Sequence, residues 1–103
     1  MARTKWKQNI EPPKPKFEWQ FGSLGVTHRC YMFAPFGIFK LVIAQGYNDQ
    51  KDVYHAFING HDVGNITASS PFAAAKILEQ YFVDQLAMAL HRARKEYGYD
   101  VRG

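Results

Sequence analysis

Residues 53–66, Val53-Tyr54-His55-Ala56-Phe57-Ile58-Asn59-Gly60-His61-Asp62-Val63-Gly64-Asn65-Ile66, decide how this chain folds. Two runs flank Asn59-Gly60. Both central positions of a type I′ turn need positive φ, which Asn and Gly reach at little cost, so the stretch predicts a β-hairpin over Val53–Ile58 and His61–Ile66. Towards the N-terminus, Gly46–Asp52 is a polar loop. Before it, Ile38–Ala44 is apolar on both faces except at Lys40, the pattern of a central or covered strand. Ala34-Pro35-Phe36-Gly37 places Pro second and Gly fourth, which predicts a type I turn. Val26–Phe33 reads as a further strand, with Val26, His28, Cys30 and Met32 on one face and Thr27, Arg29, Tyr31 and Phe33 on the other. Gly22–Gly25 reads as a turn, and ahead of it Phe17, Trp19 and Phe21 alternate with Glu18 and Gln20, the period of a half-buried strand.

Towards the C-terminus, Ser70 is placed to cap a helix whose first position is Pro71, where a missing N–H costs nothing. The helix is expected to run to about Tyr97 and stop at Gly98. Arg92, Arg94 and Lys95 then lie near its negative end, where cations are favoured. The expected fold class is α+β: an antiparallel β-sheet of about five strands packed against one long C-terminal helix. One domain is expected over residues 17–103. Residues 1–16 are expected to form a basic tail, because Pro12, Pro13 and Pro15 remove backbone donors and favour extended chain.

At about 100° per residue, one helix stripe collects Phe72, Ala75, Leu78, Phe82, Leu86, Ala89, Leu90 and Ala93 and is expected to pack on the sheet. A second stripe holds Ala74, Ile77, Tyr81 and Met88. One sheet rarely covers two stripes of a single helix, so Ile77, Tyr81 and Met88, with Trp6 in the tail, are candidate partner contacts. The partner is a protein or, through homodimerisation, a second copy of the chain.

With 103 residues, 47% hydrophobic and 16% aromatic, the chain suffices for one core and excludes wholesale disorder. Cys30 is the single cysteine, which excludes an intrachain disulfide and a four-cysteine metal site. No apolar run approaches the roughly 20 residues of a membrane helix, and no secretory signal opens the chain. No membrane association and a reducing, cytoplasmic location are therefore expected. The formal charge of +4 is carried by the ends. Residues 1–20 set Arg3, Lys5, Lys7, Lys14 and Lys16 against Glu11 and Glu18, and residues 91–103 set Arg92, Arg94, Lys95 and Arg102 against Glu96 and Asp100. Residues 21–90 are slightly acidic. A phosphate-gripping domain clusters its cations on one face of the fold. Direct nucleic-acid binding is therefore the alternative reading, with Arg3, Lys5, Lys7, Arg29, Lys40, Arg92, Arg94 and Lys95 as its candidates and aromatic sheet residues as stacking surfaces.

Catalytic patterns are absent. There is no Gly-x-Ser-x-Gly elbow, no phosphate cradle and no pair of carboxylates at useful helical spacing. Cys30 and His28, two apart on a strand, share a face and form the one nucleophile–base or half-metal arrangement the sequence offers. His55 and His61 flank the hairpin turn on opposite faces, and His91 reads as a helix-surface residue. No enzyme activity, metal or cofactor is expected.

From Val26 to Leu90, strands followed by an Ala-rich helix resemble a double-stranded-RNA-binding domain. That family opens its last helix with a lysine cluster; here Ser69-Ser70-Pro71-Phe72-Ala73-Ala74-Ala75-Lys76 holds one lysine, so no binding residues carry over. The short chain, the β-meander with one long helix, the Ala56-Phe57-Ile58-Asn59-Gly60 … Val63-Gly64 hairpin followed by Ala75-Lys76, and the missing catalytic motif also resemble small phage and mobile-element accessory proteins, including anti-CRISPR proteins. That resemblance implies a protein that occludes a surface of a host nucleic-acid-handling enzyme.

Overall fold

The computed structural model describes residues 14–22 and 28–100. Five strands, β1 (Gln20–Phe21), β2 (His28–Phe36), β3 (Phe39–Gly46), β4 (Val53–Ile58) and β5 (His61–Thr67), lie in sequence order in one sheet, and α1 (Pro71–Tyr97) follows. Every neighbouring pair is antiparallel. The fold is the expected α+β arrangement, with β3 at the sheet's centre.

The deciding hairpin forms as its chemistry requires. Asn59 and Gly60 take φ of 52° and 82°, and Ile58 pairs with His61 across them. Asn59 also ties the turn to β3: its Oδ1 accepts the Lys40 N–H at 2.7 Å, and its own N–H donates to the Lys40 carbonyl at 2.9 Å. The β2–β3 connection differs from the sequence expectation. Pro35 and Phe36 stay in β2, paired with Lys40 and Phe39, and the turn consists of Gly37-Ile38. Gly37 takes φ of 63°, and positive φ at the first central position is what a two-residue II′ hairpin asks of glycine.

The first strand is also shorter than its alternation suggests. Only Gln20 and Phe21 pair with β2, opposite Phe33 and Met32. Phe17 and Trp19 still pack against the core, but the backbone N–H groups of Lys16 and Phe17 donate to Glu79 of α1 rather than to a ladder. Val26 and Thr27, expected to begin the next strand, lie outside the described residues.

The helix matches its expected limits. Ser70 Oγ accepts the Ala73 N–H at 3.1 Å, Pro71 opens α1, and Gly98 closes it in a left-handed conformation. Its first half covers one face of the sheet. Leu41 and Ile43 of β3 and Tyr54 and Ala56 of β4 are buried against Ala74, Ala75, Leu78 and Phe82. The stripe expected to pack is corrected in three places: Phe72 and Leu90 are each 45% exposed, and Ala89 is exposed. Ala74, assigned to the outer stripe, is fully buried. No residue of α1 after Phe82 is buried, because the sheet does not extend along the rest of the helix.

Phe82 is the hub of the packing, with ring centroids 6.2 Å from Phe17, 5.8 Å from Phe36 and 5.0 Å from Phe39. Phe82→Ala is expected to lower stability by about 3–5 kcal/mol in urea denaturation, the range for emptying a buried aromatic site. A loss under about 1 kcal/mol would mean that the cluster is not part of the cooperative core.

Candidate protein-docking surface

Glu79 is a charged side chain left only 3% exposed. Its Oε1 accepts the Lys16 N–H at 2.8 Å, and its Oε2 accepts the Phe17 N–H at 2.7 Å and the Trp19 indole Nε1–H at 2.6 Å. Three donors on one carboxylate answer the penalty of removing it from water. The arm from Lys16 to Trp19 is thereby fastened across α1, and Phe17 stacks on Phe36 at 4.7 Å with planes 4° apart. Helical spacing places Glu79 on the packed stripe, between Ala75 and Phe82, but gives no sign of the donors from the N-terminal arm that satisfy it.

On the other side of α1, a groove of about 190 Å³ runs between the helix and the edge strand β5, lined by Ala56, Val63, Asn65, Ile66, Ile77, Leu78 and Tyr81. Ala56, which pairs with Gly64 of β5, contributes to its lining from β4. Two of the sequence-predicted contacts, Ile77 and Tyr81, form its outer wall and are 46% and 44% exposed. Met88, 58% exposed, continues the same line of α1 beyond the groove. The fourth candidate, Trp6, lies outside the described residues, as do Arg3, Lys5 and Lys7.

The remaining nucleic-acid candidates do not converge. Register places Tyr31, Phe33, Lys40, Val42, His55 and Phe57 on the sheet face away from α1. Lys40 Nζ sits 5.1 Å from the centroid of the Phe33 ring. Gly22 lies against Tyr31 on this face, where an added Cβ would stand 2.6 Å from the ring. Arg29 donates to the Tyr47 carbonyl at 3.0 Å. Arg92, Arg94 and Lys95 sit apart, in the last turns of α1.

Catalytic geometry is not assembled by the described residues. A register shift separates His28, opposite Gly46, from Cys30, opposite Gln45, and the i, i+2 rule for a shared face does not hold across such a bulge. Burial pushes the Cys30 thiol above its ordinary pKa, the wrong direction for a nucleophile. His55 is held between Asn65 Oδ1 at 2.9 Å and Asp49 Oδ2 at 3.0 Å, while Asp49 Oδ2 also accepts the Gly46 N–H at 2.7 Å. These bonds fix the β3–β4 loop, with help from Gln45. That side chain is 2% exposed and donates to the carbonyls of Gln50, Lys51 and Val53. Among the described residues no three His, Cys, Asp or Glu side chains are grouped to hold a metal ion, and no helix is long and apolar enough to cross a membrane.

No protein-family profile matches the chain, and no curated protein or solved structure is significantly similar to it.

Two outcomes follow from this geometry. Glu79→Gln sets an amide NH₂ against the N–H donors and is expected to cost about 1–3 kcal/mol. A shifted Trp19 emission, read in a Trp6→Phe background, would report release of the arm; unchanged emission and stability would show the carboxylate to be dispensable. Cys30 is expected to react with iodoacetamide at pH 8 far more slowly in the folded protein than in urea, because its thiolate fraction is suppressed. Equal rates would contradict its burial.

Proposed function

We propose that the protein is a small non-enzymatic binding module that docks on a protein through the exposed side of α1 and the adjoining α1–β5 groove. Its target is a cytoplasmic nucleic-acid-handling protein, which it blocks or adapts in the manner of phage-type accessory proteins. One observation carries this reading: Ile77, Tyr81 and Met88 stand 46%, 44% and 58% exposed in one line on a helix whose adjoining side already fills the core. Apolar side chains collected in this way mark interaction surfaces. The slightly acidic middle of the chain and the resemblance to accessory proteins support the choice of a protein partner over phosphate.

The alternative, direct nucleic-acid binding, is favoured by one arrangement, Lys40 over Phe33, whose ring neighbours Tyr31 on the sheet face away from α1. Capture from nuclease-treated host lysate, followed by titration with the purified partner, separates the two. Replacing Ile77 and Tyr81 together by Asp is expected to weaken partner binding at least tenfold with no loss of folding, since both side chains are half exposed. Affinity should change little between about 50 and 200 mM salt, whereas phosphate binding falls steeply over that range. Retained binding in the double variant, or a steep salt slope that Lys40→Ala abolishes, would reject the protein-docking reading.

A further inference from the structure

We propose that α1 pairs antiparallel with α1 of a second copy, about a two-fold axis passing at Met88. The inference rests on the reading of this helix face as a docking surface, and it assigns that face to a second copy in the absence of the target, with which the copy competes. Ile77, Tyr81, Asp84, Met88, Arg92 and Lys95 follow one another at intervals of four, three, four, four and three residues, the rhythm that keeps one line of side chains on one side of a helix. All six are exposed. From Val83 onward nothing in α1 is buried, so a second helix can lie along the Met88 side without displacing the sheet.

Charge identifies the occupant. In an antiparallel pair centred on Met88, each residue meets the one equally far on the other side of the centre. Asp84 and Arg92 stand four residues to either side of Met88, so the pair makes two opposite-charge contacts. Tyr81 and Lys95 stand seven to either side, so an ammonium meets a phenol ring twice. Met88 meets its own copy, a contact suited to its unbranched, adaptable chain. Antiparallel packing also opposes the two helix dipoles. Parallel in-register pairing sets Asp84 against Asp84 and Arg92 against Arg92, and like charges exclude it. A partner of a single charge sign would satisfy one half of this line; a second copy satisfies both, as an isologous interface must. Among the described residues the two charges have exposed helical neighbours: Gln80 Nε2 donates to Asp84 Oδ1 at 3.0 Å, and Arg92 Nη2 lies 3.3 Å from Glu96 Oε1. Such contacts are weak competitors in water.

The test is a charge exchange read by sedimentation equilibrium on the full chain, from about 1 to about 300 µM, the range in which small interfaces dissociate. The unaltered protein is expected to approach twice its 11.8 kDa mass at the upper end. Asp84→Arg alone and Arg92→Asp alone are each expected to remain monomeric, with circular dichroism confirming the helix. Their equimolar mixture is expected to regain the dimer, because two arginines of one copy then face two aspartates of the other. A monomeric unaltered protein, a mixture that stays monomeric, or single variants that still dimerise would each overturn the proposal. So would a dimer that only Leu90→Asp dissolves, since that places the contact on the neighbouring Leu86–Leu90–Tyr97 side. If the unaltered protein is monomeric but the Ile77/Tyr81 variant loses a foreign partner, the docking reading stands and the self-pairing alone falls.

Discussion

The Glu79 carboxylate holds the N-terminal arm to the rest of the molecule. Burying an ion is unfavourable unless strong donors surround it, and here two backbone N–H groups and an indole N–H converge on it. The consequences extend beyond those bonds. Because the arm's N–H groups point at α1, the first strand cannot begin at Phe17, and only Gln20 and Phe21 reach β2. Because the arm crosses the helix, Phe17 comes over Phe36 and against Phe82, completing a cluster that joins the β2–β3 turn to the middle of α1. Without that anchor, the open end of the aromatic cluster would face water.

Elements whose signal is local were legible in the sequence. Asn59-Gly60 fixes a turn by backbone sterics alone, Ser70-Pro71 and Gly98 bound a helix by capping chemistry, and the doubly apolar run at β3 marks the sheet's centre. Pro35 points to a turn in the sequence because its fixed φ suits a turn as well as a strand. Its missing N–H costs little here, since β1 pairs with β2 only at Met32 and Phe33 and leaves Pro35 with one neighbouring strand. Glu79 and Gln45 were not legible. Periodicity sets both in buried rows, Gln45 after Leu41 and Ile43 on alternate strand positions and Glu79 between Ala75 and Phe82 at helical spacing, but the polar partners that make such burial tolerable come from other parts of the chain.

The candidate surface was partly legible for a related reason. Periodicity divides α1 into sides, and it placed Ile77, Tyr81 and Met88 on an outward one. It carries no information on how much of the helix a sheet will cover. A 27-residue helix is about 40 Å long, whereas the strands beneath it span six to nine residues apart from the short β1. Leu90 and Ala89 therefore share a stripe with Phe82 yet remain exposed. Ala74 fails in the opposite direction, because a residue in the covered half is enclosed from more than one side.

The distribution of cations bears on which class of partner this surface suits. Phosphate recognition draws its affinity from several positive charges acting on one track. In the described residues Arg29 is bound to the Tyr47 carbonyl, Lys40 lies over Phe33, and the other candidates stand in the last turns of α1. Moving any one of them to meet a phosphate would not bring the others with it. The apolar side chains behave in the opposite way. Ile77 and Tyr81 share a rigid helix with Met88, and their spacing is fixed by the α1 backbone before any partner arrives. Preorganised apolar contacts lose little conformational freedom on binding. A helix held at one end by Glu79 and its aromatic cluster, and bare along the other, is better suited to protein association than to following a flexible polyanion.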